Sequence, residues 1–201
     1  MKFDRYIGFS ALKGFRTLRV AMFLLLVIVS SVCRSQDCGS GNVRQARLAS
    51  LRRSGIAVLK AIEQKDSETL LRYISPGGIG FGPDKPPIMR KDLRRQFAHR
   101  EGAYCLFFST GCIANMGGFK GLEPDPILSR WKISYFEWLG LNKTYTIRAG
   151  LLDNVVGIEG CAGEFHAQVQ TEMKNAPNDI ELDFTSYKGR WWLVDTVDSV
   201  P

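Results

Sequence analysis

The sequence predicts an α+β domain, helices first and an antiparallel meander after them. Apolar residues recur at three- and four-residue steps in several stretches between residues 43 and 139, and at every second position in the stretches after that. Helices followed by a run of strands is the α+β order. A third observation, a basic and then apolar N-terminus, predicts that this domain is exported.

Residues 1 to 19 carry Lys2, Arg5, Lys13, Arg16 and Arg19 against a single Asp4. The apolar run from Val20 to Val29 trails through Ser30 and Ser31 to Val32, about 13 residues, short of the roughly 20 that a membrane-spanning helix needs. Cys33-Arg34-Ser35 then offers a cleavage site. The expectation is a signal peptide over 1–35, a tether over 36–42 and a single α+β domain over 43–201, secreted or periplasmic. A membrane is involved only if the leader stays uncleaved as an anchor. Val32 is too bulky for the lipobox that would make Cys33 a lipid-modified cysteine.

The leader also explains the charge. The chain is formally +7, yet beyond residue 35 it holds 21 basic and 19 acidic residues, or +2. A near-neutral domain has no electrostatic footprint for nucleic acid, so a nucleic-acid partner is excluded. The cysteines beyond the leader are Cys38, Cys105, Cys112 and Cys161, an even number with no CxxC pair. In an exported chain that reads as disulfides rather than zinc, with three connectivities open. Ser109-Thr110-Gly111 can turn the chain back, so the expected pairs are Cys105–Cys112 and Cys38–Cys161.

Leu48, Leu51, Gly55, Leu59 and Ile62 form a helical stripe within 43–65, with Arg44, Arg47, Arg52, Arg53 and Lys60 mostly off it, a solvated face. Asp66 caps a short second helix that buries Leu70, Leu71 and Ile74, closed by Ser75-Pro76-Gly77-Gly78. Residues 79–87 are too rich in Gly and Pro for a regular element. The GxG among them lacks the strand-to-helix context of a phosphate loop. A third helix over 88–100 rests on Leu93 and Phe97. Residues 103–108 read as either strand or buried helix, and 115–126 as a Gly-rich loop. Asp125 at N-cap, Pro126 at N1 and Gly140 at C′ bracket a helix over 126–139, with Ile127, Leu128, Trp131, Tyr135, Trp138 and Leu139 as its stripe. Asn142-Lys143-Thr144 after it is a glycosylation sequon.

Strands follow at 145–151, 163–173, 179–184 and 191–197. A tight turn at Lys188-Gly189 would put Leu182 opposite Asp195. A type I turn with Gly189 as a bulge instead pairs Phe184 with Trp192, Leu182 with Val194 and Ile180 with Thr196. The second keeps the apolar residues on one face and is the expected register. Its other face groups Trp191, Leu193 and Asp195 with Glu181, Glu181 lying across from Asp195.

The stretch VLKAIEQKDSETLLRYIS (58–75), with Ala61 to Asp66 as an Ala-x-x-x-x-Asp elbow, resembles the opening of NTF2-like (cystatin-like, SnoaL-type) domains. The hairpin end GRWWLV (189–194) is similar to the last hairpin of that family. Together these cover only a minor part of the chain beyond the leader. The resemblance implies N-terminal helices packed on a curved antiparallel sheet that forms a cone with a pocket. Members include isomerases, dehydratases, binding modules and catalytically empty domains, so it decides no function.

The candidate chemistry is sparse. Glu181 and Asp195 as facing carboxylates would raise one another's pKa, as acid/base catalysis requires. Glu164 and His166 share one strand face with Gln168, and a neighbouring Glu would fix the tautomer of the His. Trp191 and Leu193 are the expected walls of a ligand pocket on the face of Asp195. Cys161 with Glu164 and His166 is an incomplete metal set once the cysteine is oxidised, so neither metal nor cofactor is expected. No GxSxG elbow for a serine hydrolase occurs. The leading expectation is an exported, non-catalytic NTF2-like domain that binds a small molecule or a protein. The alternatives are an acid/base enzyme of isomerase, dehydratase or hydrolase type, and a surface-acting inhibitor or immunity-like protein.

Overall fold

The computed structural model describes residues 38–81, 86–113, 133–140, 145–153, 161–168 and 179–199. The leader, the loop at 115–126, Asp125, Pro126, Trp131, the sequon at Asn142 and residues 169–173 lie outside them.

Helix α1 (Gly41–Glu63) buries Leu51, Gly55, Leu59 and Ile62 of the predicted stripe together with Val58, leaves Leu48 half-buried, and begins inside the expected tether. Asp66 caps α2 (Ser67–Tyr73) as expected: the Thr69 amide donates to its Oδ1 at 2.9 Å. Helix α3 (Arg90–His99) buries Leu93 and Phe97, and residues left open between strand and helix form α4 (Ala103–Phe108). Phe97, Tyr104, Phe107 and Phe108 interlock there with ring centroids 5.2–6.5 Å apart. Two disulfides, Cys38–Cys161 and Cys105–Cys112, close with Cα–Cα distances of 4.9 and 5.3 Å, and the predicted pairing holds.

The helix expected over 126–139 does not run unbroken. Residues 133 and 134 are not helical, and α5 (Tyr135–Gly140) starts after them. Its N-terminus is closed by Ser134, whose hydroxyl accepts from the Glu137 amide at 3.3 Å and whose carbonyl accepts from Trp138 at 2.8 Å. A serine is a good N-cap, and this local hydrogen bonding ends a stripe that periodicity alone carries onward. Gly140, expected just beyond the helix, is its last residue.

Strands β1 (Thr146–Leu152), β2 (Ala162–Gln168), β3 (Asp179–Tyr187) and β4 (Arg190–Ser199) form one antiparallel sheet in the order β1-β2-β3-β4. Phe165, Ala167, Ile180, Leu182, Phe184 and Leu193 turn one face of it to the core. Glycine sets the distance between sheet and helix. A Cβ at Gly55 of α1 would lie 2.2 Å from Phe165 Cδ2, and one at Gly163 would lie 2.4 Å from Leu51 Cδ2. Gly55→Ala is therefore expected to lower stability by roughly 2 kcal/mol, the cost of overpacking a fully buried ring, despite the better helix propensity of alanine. A chemical denaturation series showing Gly55→Ala as stable as the parent would contradict this packing.

The register of the last hairpin differs from the expected one. Tyr187 pairs with Arg190 across a two-residue turn in which Lys188 (φ 51°) and Gly189 (φ 74°) both take positive φ. That is the mirror-image turn whose twist matches a hairpin. Phe184 then faces Leu193, and Val194 is an extra residue, so that Asp183 pairs with Asp195 and Leu182 with Thr196. The bulge reconciles the tight turn with an apolar core face: without it every residue beyond Leu193 would sit on the wrong side. The loop before α3 assists. Its Gly80 amide donates to Val194 O at 2.8 Å, and its carbonyl accepts from the Thr196 amide at 3.3 Å.

Among the described residues no helix is long and apolar enough to cross a membrane. Two closed disulfides are the mark of an oxidising compartment.

Candidate functional site

The bulge separates residues that the sequence had grouped. Trp191 and Leu193 lie on the core face, 3% and 0% exposed, whereas Asp195 lies beyond the bulge on the opposite face. The expected pocket of Trp191 and Leu193 beside Glu181 and Asp195 is thus not formed as one surface. The edge of Trp191 instead borders an open groove of about 410 Å³ with Val43, Ser50 and Lys188, on the helix side of the sheet. Leu193 is core.

The other face gathers the charge. Strict alternation puts Glu164, His166 and Gln168 of β2 beside Asp179, Glu181 and Asp183 of β3. The pairs are Glu164 with Asp183, His166 with Glu181 and Gln168 with Asp179. From the flanking strands, Arg148 lies opposite His166 and Asp195 opposite Asp183. Glu181 therefore faces His166, and the carboxylate across from Asp195 is Asp183. Gly80 gives Asp195 its place, because a Cβ there would meet Asp195 Oδ2 at 2.7 Å.

Among the described residues, five carboxylates thus share a surface with one imidazole and one guanidinium. His166 is held from both sides: Nδ1 is 3.1 Å from Asp179 Oδ2, and Nε2 is 3.6 Å from Glu164 Oε2. Arg148 Nη2 reaches the same Asp179 oxygen at 3.8 Å, but its side chain is largely in water. Ligand atoms of Glu164, His166 and Glu181 all lie within 4.8 Å of one another, close enough to converge on one ion. The metal set considered from sequence, built on Cys161, is not available, because that sulfur is bonded to Cys38.

Burial shifts the acids of this face upward, and like charge adds to it at Glu181 and Asp183. Burial, reinforced by Glu181, Asp195 and Glu164 and opposed by His166, pushes the Asp183 carboxyl up to about 7. Burial raises Glu181 as well, with His166 opposing and Glu164, Asp179 and Asp195 adding to it. Asp179 is raised too: burial outweighs the His166 and Arg148 charges, even though both contact it. Among the described residues, the Oδ1 atoms of Asp179 and Asp183 are buried and lack a hydrogen-bond partner.

The structure thus brings together four residues singled out from sequence, Glu164, His166, Glu181 and Asp195, and adds Asp179 and Asp183. The signal for the added pair was present. Asp179, Glu181 and Asp183 repeat at every second position of one strand, on the side away from Ile180, Leu182 and Phe184.

No family model matches the chain, and neither does any curated protein.

Proposed function

We propose that this chain is an exported, NTF2-like domain that acts without catalysis, by binding a cationic ligand on the acidic face of its sheet. The excess of carboxylates on that face carries the reading. Asp179, Glu181, Asp183, Glu164 and Asp195 share that face with His166 and Arg148, and the buried Oδ1 atoms of Asp179 and Asp183 have no hydrogen-bond partner. Facing like charges are unfavourable in a folding sheet, and a bound cation relieves the repulsion. Export is supported by the basic and apolar leader together with two disulfides. The NTF2-like reading is supported by the Asp66-capped elbow between α1 and α2 and by helices preceding an antiparallel meander.

A thermal-shift series with amines and polyamines, their neutral analogues and small anions tests the ligand class. Only the cations are expected to raise the melting temperature, and Asp195→Asn is expected to reduce that rise. Stabilisation by anions would sink the proposal. A second reading, acid/base catalysis, is favoured by one observation. A carboxyl titrating near neutrality, as Asp183 does, is matched to proton transfer at physiological pH.

A further inference from the structure

We propose that the cation is a divalent first-row transition metal of the zinc type, held by Glu164, His166 and Glu181. This deepens the cation-binding reading and rests on it. Three features single out this subset of the acidic face. First, the three side chains already converge, with one ligand atom from each within 4.8 Å of the others. Two carboxylates and a neutral imidazole balance a doubly charged ion. Three protein ligands that leave a position for water is a familiar zinc arrangement.

Second, His166 is oriented as a metal ligand is. Its Nδ1–H, in the tautomer that donates to Asp179 Oδ2 at 3.1 Å, leaves the Nε2 lone pair on the side of Glu164 Oε2, 3.6 Å away. A carboxylate behind the imidazole fixes the tautomer and makes the ring a better donor. Arg148 and Gln168 flank that carboxylate on the sheet, so Asp179 is itself positioned.

Third, the side chain of Asp179 is nine-tenths buried and its Oδ1 is unpartnered, and the Asp183 Oδ1 beside the cluster is likewise buried and unpartnered. Buried polar atoms are normally satisfied, and a metal with its bound waters supplies donors to such oxygens. The imidazole selects the metal class. Calcium and magnesium favour all-oxygen sets, whereas nitrogen with carboxylates suits zinc and its neighbours. All four cysteines beyond the leader are tied in disulfides, so no thiolate competes.

The chain has two histidines, His99 and His166, and this makes the test clean. Protein carrying no histidine tag, stripped with chelator, is titrated with zinc by calorimetry and with cobalt by visible absorbance. One ion per chain is expected, with a dissociation constant of about 1 µM or lower. His166→Ala should weaken binding about 100-fold and Asp179→Asn about 10-fold, while His99→Ala changes nothing. Glu181→Gln, with far-ultraviolet circular dichroism to verify folding, repeats the loss without touching the imidazole. Zinc binding only near millimolar, equal binding of calcium, or full binding by folded His166→Ala would overturn the metal assignment. In that event, stabilisation by amines would still uphold a cation site, whereas stabilisation by anions would remove both.

Discussion

Removing the long disulfide, as Cys38→Ala with Cys161→Ala, is expected to lower the melting temperature by about 15 °C. The two residues are 123 apart in sequence, so the bond closes most of the domain into one loop. Loop-closure entropy for that length amounts to roughly 5 kcal/mol, and a domain of this size loses about 2–4 °C per kcal/mol. The bond also fastens a corner that other contacts share. The Cys38 amide donates to Asp153 Oδ1 at 3.2 Å, and Arg44 of α1 forms a 2.7 Å ion pair with the same carboxylate at the end of β1. Both cysteines are buried, so their replacement also leaves a small void. Replacing Cys105 and Cys112 together should cost about half as much, roughly 2.5 kcal/mol, because their separation is only 7 residues. Guanidinium denaturation of the two double variants orders the costs. An equal or larger loss from the short loop would refute the entropic account.

That pairing could be read from sequence because a short cysteine spacing with turn residues inside it leaves few geometries. Helices and strands were readable for a related reason. Leu51, Val58, Leu59 and Ile62 must share one side of a helix, and Ile180, Leu182 and Phe184 one side of a strand, if they are to leave water. The helix continued through residues 133 and 134 failed because periodicity reports where apolar side chains point and not whether the backbone is interrupted. Ser134 interrupts it with its own hydroxyl and carbonyl.

Register was harder. Lys188 taking a positive φ has no strong residue signature, and the bulge at Val194 depends on the Gly80 loop, more than 100 positions away, docking on β4. Hydrophobic pattern demanded that Phe184, Leu182 and Ile180 have partners on the core face. A bulge turn and a tight turn followed by a bulge both meet that demand, and they differ in where Trp191 and Leu193 fall. The misplaced ligand wall follows from that choice. Glu164 and His166, by contrast, depend only on alternation within β2, and alternation survives any register. Their neighbour Glu181 was named for repulsion with Asp195. It lies instead across from His166, a pairing between two strands that cannot be deduced from either strand alone.

Asp183→Asn is expected to raise the melting temperature of chelator-treated protein at pH 8 by about 9 °C. The Asp183 carboxyl faces Glu164 and His166 on β2 and Asp195 on β4, with Glu181 next along its own strand and the Gly80 loop beside Asp195. Its pKa rises from 3.8 to about 7 on folding, chiefly through burial and then through Glu181, Asp195 and Glu164. The folded chain therefore holds a proton that the unfolded chain releases, and ionising Asp183 in place opposes folding. Between pH 4 and 7 the native state binds more protons, so stability falls as pH rises across that window and levels off above it. A tenfold gain in proton affinity on folding is worth about 1.4 kcal/mol; discounted for partial water access, the penalty is on the order of 3 kcal/mol at pH 8. Asparagine keeps the shape, removes the charge and adds a donor toward the neighbouring carboxylates. The variant should show its largest gain at pH 8 and almost none at pH 4, where the parent is already protonated. Melting curves across that range decide the matter. An Asp183→Asn protein that is less stable than the parent at pH 8 would mean that this carboxylate is well paired, and that the acidic face does not require a cation.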